Sequence, residues 1–106
     1  MTELHFQSAS ELAGGIKAKE IGCLELLEHF LDRCERHNPA LNAIVTWDRE
    51  GARTRAKQAD EALAKGEDWG PLHGLPMTVK ESFDAVGMPT TWGLPGLANN
   101  VPTTNA

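Results

Sequence analysis

The sequence has few of the residues that mark several classes of protein. It contains two cysteines, too few for a disulfide framework, and Cys23 and Cys34 fit a reducing compartment as free thiols. The N-terminal segment MTELHFQSAS carries an early acid and no apolar stretch, so it resembles neither a signal peptide nor a membrane span. We therefore expect a cytoplasmic protein that makes no membrane contact.

Positive charge is also scarce. The 10 Lys and Arg residues are outnumbered by 15 Asp and Glu residues, which gives a net charge of −5. The densest basic run, residues 49–57, has acids interleaved with it and beyond it, as on a solvated helix face. This balance argues against a nucleic-acid-binding surface.

Three amphipathic helices are predicted from the first two thirds of the chain. Ser8 and Glu11 form a possible capping box for a helix over residues 9–19. A second helix over residues 23–37 is expected to end at Asn38-Pro39, and a third follows Asp48. The predicted apolar stripes are Leu24, Leu27, Leu31 and Cys34 in the second helix, and Ala52, Ala56, Ala59 and Leu63 in the third.

Short strand candidates lie between and after these helices. Residues 43–47 are β-branched and apolar, and most glycines and prolines fall after residue 65, where they separate the brief pieces MTVKES, DAVG and TTWG. The pattern predicts an α/β protein with three helices and short strands. These strands are too few to cover three apolar helix faces, so we expect the partner surface in the rest of a longer chain. The final residues, NNVPTTNA, look like the start of a helix that is interrupted.

Lys80 is the candidate catalytic residue. It ends a short apolar run after the glycine- and proline-rich segment GPLHGLP. In a strand, Met77 and Val79 would pack inward while Thr78, Lys80 and Ser82 share the opposite face. A desolvated lysine there could be neutral and act as a base, although most lysines of this kind are solvated surface charges.

Three chemical interpretations of Lys80 compete with a surface charge. A phosphate-binding loop is excluded because the glycine spacing is wrong and Glu81 follows the lysine. A Schiff-base lysine has no supporting feature. A Ser–Lys pair needs a serine nucleophile, and Ser82 lies in no segment that would form an oxyanion hole. The residues themselves leave the Schiff base and the Ser–Lys pair open.

The run GPLHGLPMTVKESFDAVGMPTTWG resembles the block around the catalytic lysine of the amidase signature family. The upstream segment ERHNPALNAIVT is similar to that family as well, so the resemblance extends from about Ser10 onward. One departure is visible: the acid after the lysine is usually Asp, and here it is Glu81. The family's fold is α/β, with a mixed sheet covered by helices, and residues 1–106 would form its N-terminal part.

The resemblance implies a function for the intact protein. Lys80 would be the general base of a Ser–cis-Ser–Lys triad that hydrolyses a carboxamide to a carboxylate and ammonia or an amine, through an acyl-enzyme and without a metal or organic cofactor. Both serines would lie in a Gly/Ser-rich stretch that this chain does not contain, so the fragment alone is expected to be inactive. Its partners would be a small amide substrate and the missing C-terminal part of the same chain.

Two other functions remain open. The chain could be a non-catalytic helical interaction or assembly module, whose exposed apolar faces would favour self-association. Alternatively, the parent protein could be the A-type subunit of a tRNA-dependent amidotransferase. The residues leave the amide substrate and the parent's oligomeric state open.

Three further groups of residues have simpler structural explanations. Cys34 and His37 are two possible metal ligands, but zinc usually needs four, so we expect Cys34 to be a buried core residue. We interpret His73 as a structural loop residue. Trp92 could line an acyl pocket, although core packing is the expected role.

Overall fold

The computed structural model describes residues 3–106, which form three α-helices, two short 3-10 helices and the loops between them. The α-helices are α1 (Ala9–Lys17), α2 (Cys23–Leu41) and α3 (Arg49–Ala64), and the 3-10 helices are Leu4–Phe6 and Pro95–Leu97. The described chain divides into two compact units. The first unit contains residues 3–43 and Arg49–Pro76, and the second contains Ile44–Asp48 and Met77–Ala106.

The start of α1 follows the predicted capping box. The Ser8 hydroxyl accepts from the Glu11 N–H at 3.1 Å, and the Glu11 carboxylate accepts from the Ser8 N–H at 2.7 Å. These two bonds satisfy amide groups that have no partner within the helix. α1 ends two residues earlier than expected, because Lys19 adopts a left-handed conformation with φ of 60°.

Pro39 does not end α2, and the prediction that it would was wrong. The helix continues to Leu41 with Pro39 inside its last two turns. Near a C-terminus, the missing proline N–H removes one helical hydrogen bond without interrupting a long ladder. The helix ends instead at Asn42, which is left-handed and donates its N–H to the Asn38 carbonyl at 2.6 Å.

The core of the first unit is built from residues of α1, α2 and α3, and α2 and α3 contact each other. α3 contributes small residues, so the two helix backbones can approach closely. The buried face of α2 is rotated relative to the predicted stripe: Leu24 and Cys34 are only half-buried, and in α3 Ala62 is buried in place of Leu63. The buried apolar residues are Leu12, Ile16, Cys23, Leu26, Leu27, Leu31, Ala56, Ala59 and Ala62.

The predicted strands are not formed within residues 3–106. A strand is defined by a ladder to a neighbour, and the candidates at residues 43–47 and in MTVKES have no such ladder. In the second unit, residues 84–90 and 100–106 run antiparallel. Thr90 donates its N–H to Asn100, Gly87 to Pro102, and Ala106 to Asp84, over 2.8–3.2 Å. These bonds are too sparse to make a regular sheet, so residues 3–106 are helical and the strands of the expected α/β fold are not formed among them.

Several large apolar side chains of the second unit are exposed. Met77 is 65% and Val79 59% exposed, so the prediction that this pair packs inward was wrong for this chain. The second unit contains no helix longer than three described residues, so it lacks a second layer that could cover these side chains. Separately, none of the helices within residues 3–106 combines the length and apolar character needed to cross a bilayer.

Candidate active site

Lys80 is exposed and occupies the first position of a tight turn in the second unit. Its carbonyl accepts a hydrogen bond from the N–H of Phe83 at 3.0 Å. Glu81 and Ser82 are the two central residues of this turn. A backbone hydrogen bond therefore closes the turn in which Lys80 is the first residue.

The hydroxyls that flank Lys80 are not brought to it. The expected common face of Thr78, Lys80 and Ser82 required strand alternation, but the chain turns at Lys80 and the alternation stops there. Among residues 3–106, no hydrogen bond joins the lysine to either hydroxyl. Neither of these hydroxyls is therefore hydrogen-bonded to Lys80 as a serine or threonine nucleophile of a Ser–Lys pair would be.

Glu81 connects the lysine turn to the segment PTTWG. Its Oε1 accepts from the backbone N–H of Thr91 at 3.1 Å and from the Thr91 hydroxyl. The hydroxyl oxygen in turn accepts from the N–H of Gly93 at 3.3 Å. The Glu81 carboxylate thus connects the Lys80 turn with the segment ten residues later by hydrogen bonds.

Residues 91–94 form a second turn next to this contact. Leu94 donates its N–H to the Thr91 carbonyl at 2.9 Å, and both central residues have positive φ: 55° at Trp92 and 70° at Gly93. This is the pattern of a type I′ turn, which glycine adopts freely and a bulky residue adopts with strain. The turn leaves Trp92 61% exposed, so its expected core-packing role is wrong for the described residues. Strain of this kind at an exposed aromatic residue is typical of functional sites.

Thr90, the residue before the Thr91 turn, is held by hydrogen bonds to Asn100. It is 2% exposed, its N–H donates to the Asn100 carbonyl at 2.8 Å, and its carbonyl accepts from Asn100 Nδ2 at 2.9 Å. This reciprocal pair fixes the chain just before Thr91.

His73 lies in the first unit, in the segment that precedes Lys80 in the sequence. It is 4% exposed; its Nδ1 accepts from the N–H of Trp69 at 3.0 Å, and its Nε2 lies 2.9 Å from the carbonyl oxygen of Ala59. A backbone N–H can only donate and a carbonyl can only accept, so the neutral ring with its proton on Nε2 satisfies both contacts. The interpretation of His73 as a structural loop residue is confirmed.

Gly74, the next residue of that segment, packs against the start of α2. Its φ is 77°, and a Cβ added there would overlap the Cys23 sulfur and lie 3.5 Å from Ile16 Cδ1. Only glycine meets both the backbone and the space requirement. The Cys23 thiol is fully buried, and burial raises its pKa to about 12, with the hydrogen bond and negative charge of Asp60 adding to the effect.

Asp60 of α3 caps the first turn of α2. Its two carboxylate oxygens accept from the N–H groups of Cys23 at 2.6 Å and Leu24 at 3.1 Å. The N-cap residue Gly22 has no side chain that could do this. Partial burial disfavours the charged form of Asp60, but the two amide hydrogen bonds and the Cys23 thiol together outweigh it, so its pKa is lowered.

Other candidate groups are not assembled into sites. Cys34 is half-buried and not fully buried as expected, His37 is exposed, and residues 3–106 contain no group of three or more side chains placed to hold a metal ion. A shallow depression of about 160 Å³ belongs entirely to the first unit. Its lining residues are Lys19, Ile21, Gly22, Asp60, Leu63 and Ala64.

Sequence reasoning singled out Lys80 as a candidate and missed the long-range contacts within each of the two units. The bond between Glu81 and Thr91 joins two residues, ten apart, that lie in separate turns and not in one helix or strand. The Asp60 cap joins positions 36 and 37 residues apart. One available signal was Gly22, because a glycine before a helix has no side chain that could cap it and leaves room for a cap from another element.

Comparison with known proteins finds similarity over a region that includes the Lys80 block. The family described as Amidase matches residues 25–106. An acylamidase of Rhodococcus erythropolis is 39% identical over 108 residues, which cover 100% of this chain and 23% of that protein. The A-type subunit of the glutamyl-tRNA(Gln) amidotransferase from Carboxydothermus hydrogenoformans is 39% identical over 104 residues, covering 98% of this chain and 21% of that protein.

The solved structures agree with the sequence matches. A bacterial aryl acylamidase belonging to the amidase signature enzymes is similar to this chain with a TM-score of 0.87 and 30% identity. The similarity covers 93% of this chain and 21% of the acylamidase. The chain therefore spans about one fifth of the length of the relatives that it matches.

Proposed function

This chain belongs to the amidase family, and from that premise we propose that residues 1–106 are the N-terminal part of an amidase domain in which Lys80 is the general base. The family's arrangement implies a Ser–cis-Ser–Lys triad whose two serines follow in a Gly/Ser-rich stretch after residue 106. The chain covers 21–23% of several relatives, which supports a longer parent protein.

The proposed reaction is hydrolysis of a carboxamide. A neutral Lys80 amine accepts the proton of the bridging serine, which takes the proton of the nucleophilic serine as its oxygen attacks the carbonyl carbon. The C–N bond breaks, ammonia or an amine leaves with a proton, and water then hydrolyses the acyl-enzyme. No step of this scheme requires a metal or an organic cofactor.

The observation that carries the proposal is the position of Lys80 in the matched block. The block keeps its glycines, prolines and lysine at fixed spacing over more than 20 residues, as quoted above. The turn closed by Phe83 and the contact between Glu81 and Thr91 support a defined place for this lysine.

The proposal also requires a cover for Lys80, because a neutral lysine base has to be desolvated. We propose that the remaining polypeptide of the parent protein covers the second unit and completes an α/β fold with a mixed sheet. Support comes from the antiparallel segments 84–90 and 100–106 and from the exposed apolar residues of the same unit. These residues are Val45, Met77, Val79, Phe83, Val86, Trp92, Leu94 and Val101.

A second candidate stays within the family. Several relatives, 39–46% identical to this chain, are A-type subunits of glutamyl-tRNA(Gln) amidotransferases. The parent could thus release ammonia from an amide for use by partner proteins, with the same role for Lys80. Ammonia release that rises when those partner proteins are added would favour this alternative over a free-standing amidase.

The rival from another class is a non-catalytic assembly module, and the exposed apolar side chains would give it a surface for self-association. In either case we propose a cytoplasmic location, which the two free cysteines support.

The test compares the complete polypeptide that carries residues 1–106 with its Lys80→Ala variant. Ammonia or amine release is measured on a panel of alkyl and aryl carboxamides. We expect Lys80→Ala to lower kcat by about 10²–10⁴-fold, the usual contribution of a general base. The matched control is Lys65→Ala, which removes an exposed lysine just after α3.

Two results would overturn the proposal. One is a Lys80→Ala enzyme with unchanged kcat. The other is Lys80-dependent amide hydrolysis by the 106-residue chain alone, since that chain would then contain its own nucleophile.

A further inference from the structure

Glu81 makes contacts that the proposed reaction does not use. Its Oε1 receives two hydrogen bonds from one residue, the N–H and the hydroxyl of Thr91. Glu81 and Thr91 are both half-buried, and both belong to the second unit. A carboxylate that accepts both donors of a threonine fixes the distance and the rotation of that residue.

The direction of the hydroxyl proton follows from its neighbours. Gly93 donates its N–H to Thr91 Oγ1, so the hydroxyl acts as an acceptor there and its own proton is available for Glu81. The three groups form a short chain from amide to hydroxyl to carboxylate. Chains of this kind strengthen each bond in them.

This chain of bonds links two turns. Glu81 is the second residue of the turn that Lys80 begins, and Thr91 begins the turn that contains Trp92. Because the side chain of one turn residue bonds the backbone of the other turn, neither turn can shift without breaking a hydrogen bond. The lysine backbone and the strained Trp92 backbone are therefore held in one arrangement.

We propose that Glu81 is a positioning residue for Lys80: its bonds to Thr91 hold the Lys80–Phe83 turn in place, so that the lysine amine keeps a constant position during hydrolysis. The inference rests on the proposed role of Lys80 as base. Glu81 touches no reacting atom in this scheme and acts through the turn that carries Lys80. A displacement of about 1 Å in a catalytic group can cost roughly 10²-fold in rate, so a tether of this kind has a measurable effect.

The test is a double-mutant cycle in the complete polypeptide, with kcat and KM measured separately on a carboxamide that it hydrolyses. We expect Glu81→Ala and Thr91→Val each to lower kcat by roughly 10-fold or more with KM nearly unchanged, since the base and not the substrate site has moved. The double variant should lose no more than Glu81→Ala alone, because Glu81→Ala already removes both bonds to Thr91, including the hydroxyl bond that Thr91→Val breaks.

Conservative and control variants separate positioning from folding. Glu81→Gln keeps an oxygen that can accept from Thr91 and should retain kcat within about threefold, because its bonds lose only the assistance of the charge. Thr91→Ser keeps the hydroxyl and should behave in the same way. Thr78→Val removes an exposed hydroxyl two residues before Lys80 in the sequence and should leave kcat unchanged.

Three results would refute the inference. They are multiplicative losses in the double variant, an unchanged kcat in Glu81→Ala, or a fall in kcat that merely tracks the fraction of folded enzyme, read from thermal melting. The Lys80→Ala variant is measured in parallel. If it is inactive while Glu81→Ala is fully active, the positioning role fails and the proposed function stands; if Lys80→Ala is active, the proposed function itself fails.

Discussion

Replacing Asp60 tests how α2 is held at its start. The N–H groups of Cys23 and Leu24 lie in the first turn of α2, where no helical carbonyl can accept from them, and the Asp60 carboxylate accepts from both. Removal of a cap costs about 0.5–2 kcal/mol, and the partial burial of this site favours the upper end. Asp60→Ala should therefore destabilise the first turn by about 1–2 kcal/mol.

Amide hydrogen exchange measures this effect directly. A loss of about 1–2 kcal/mol corresponds to exchange roughly 5- to 30-fold faster at Cys23 and Leu24. The control Glu61→Gln removes the same charge from an exposed neighbour on α3 and should leave these two amides unchanged. Equal exchange at both amides in Asp60→Ala and in the unsubstituted protein would refute the capping role.

The pH dependence of that stabilisation has a defined sign. The pKa of Asp60 is lowered in the folded protein, so its contribution is present above the unfolded pKa, about 4, and is lost as the pH falls through the folded pKa. The difference in the free energy of unfolding between Asp60→Asn and the unsubstituted protein should therefore shrink as the pH falls below about 4. A difference that grows in acid would contradict this assignment.

Two further predictions concern the contact between the loop and α2. Gly74→Ala should lower the melting temperature more than Gly66→Ala, because both positions have positive φ but only the Cβ at residue 74 would overlap the Cys23 sulfur; equal losses would show that backbone strain alone is responsible. Iodoacetamide at about pH 8 should alkylate the half-buried Cys34 well before Cys23, whose thiol is fully buried and has its pKa raised to about 12. Mass spectrometry of tryptic peptides over time checks the order, and faster labelling of Cys23 would contradict the burial.

The helices could be predicted because their signals are local. The reciprocal bonds of Ser8 and Glu11 depend on residues three apart, and the small residues of α3 repeat with the helical period. The end of α2 could not be predicted, because the cost of Pro39 depends on where it falls in the helix. The strand predictions were wrong for a different reason. An apolar β-branched run favours extended backbone, but a strand also needs a neighbouring strand to which it can hydrogen-bond.

The candidate site divides in the same way. The family block around Lys80 could be recognised because its fixed spacing is visible in one sequence, and the role of Lys80 within it stays a prediction. The contact of Glu81 with Thr91 could not, since it depends on how two turns fold toward each other. The expected face shared by Lys80 and Ser82 failed because it assumed a straight strand across a position where the chain turns.

The contacts of the consecutive residues Ala59 and Asp60 limit how the length of α3 can vary. The carbonyl of Ala59 accepts from His73, and the carboxylate of Asp60 binds the start of α2, so adjacent positions on one helix hold two different neighbours. One residue inserted between Ala56 and Ala59 would rotate the rest of α3 by about 100° and move both groups away from their partners. Insertions and deletions among homologous sequences should therefore fall in the loops outside Arg49–Ala64, and the helix itself should keep a constant number of residues.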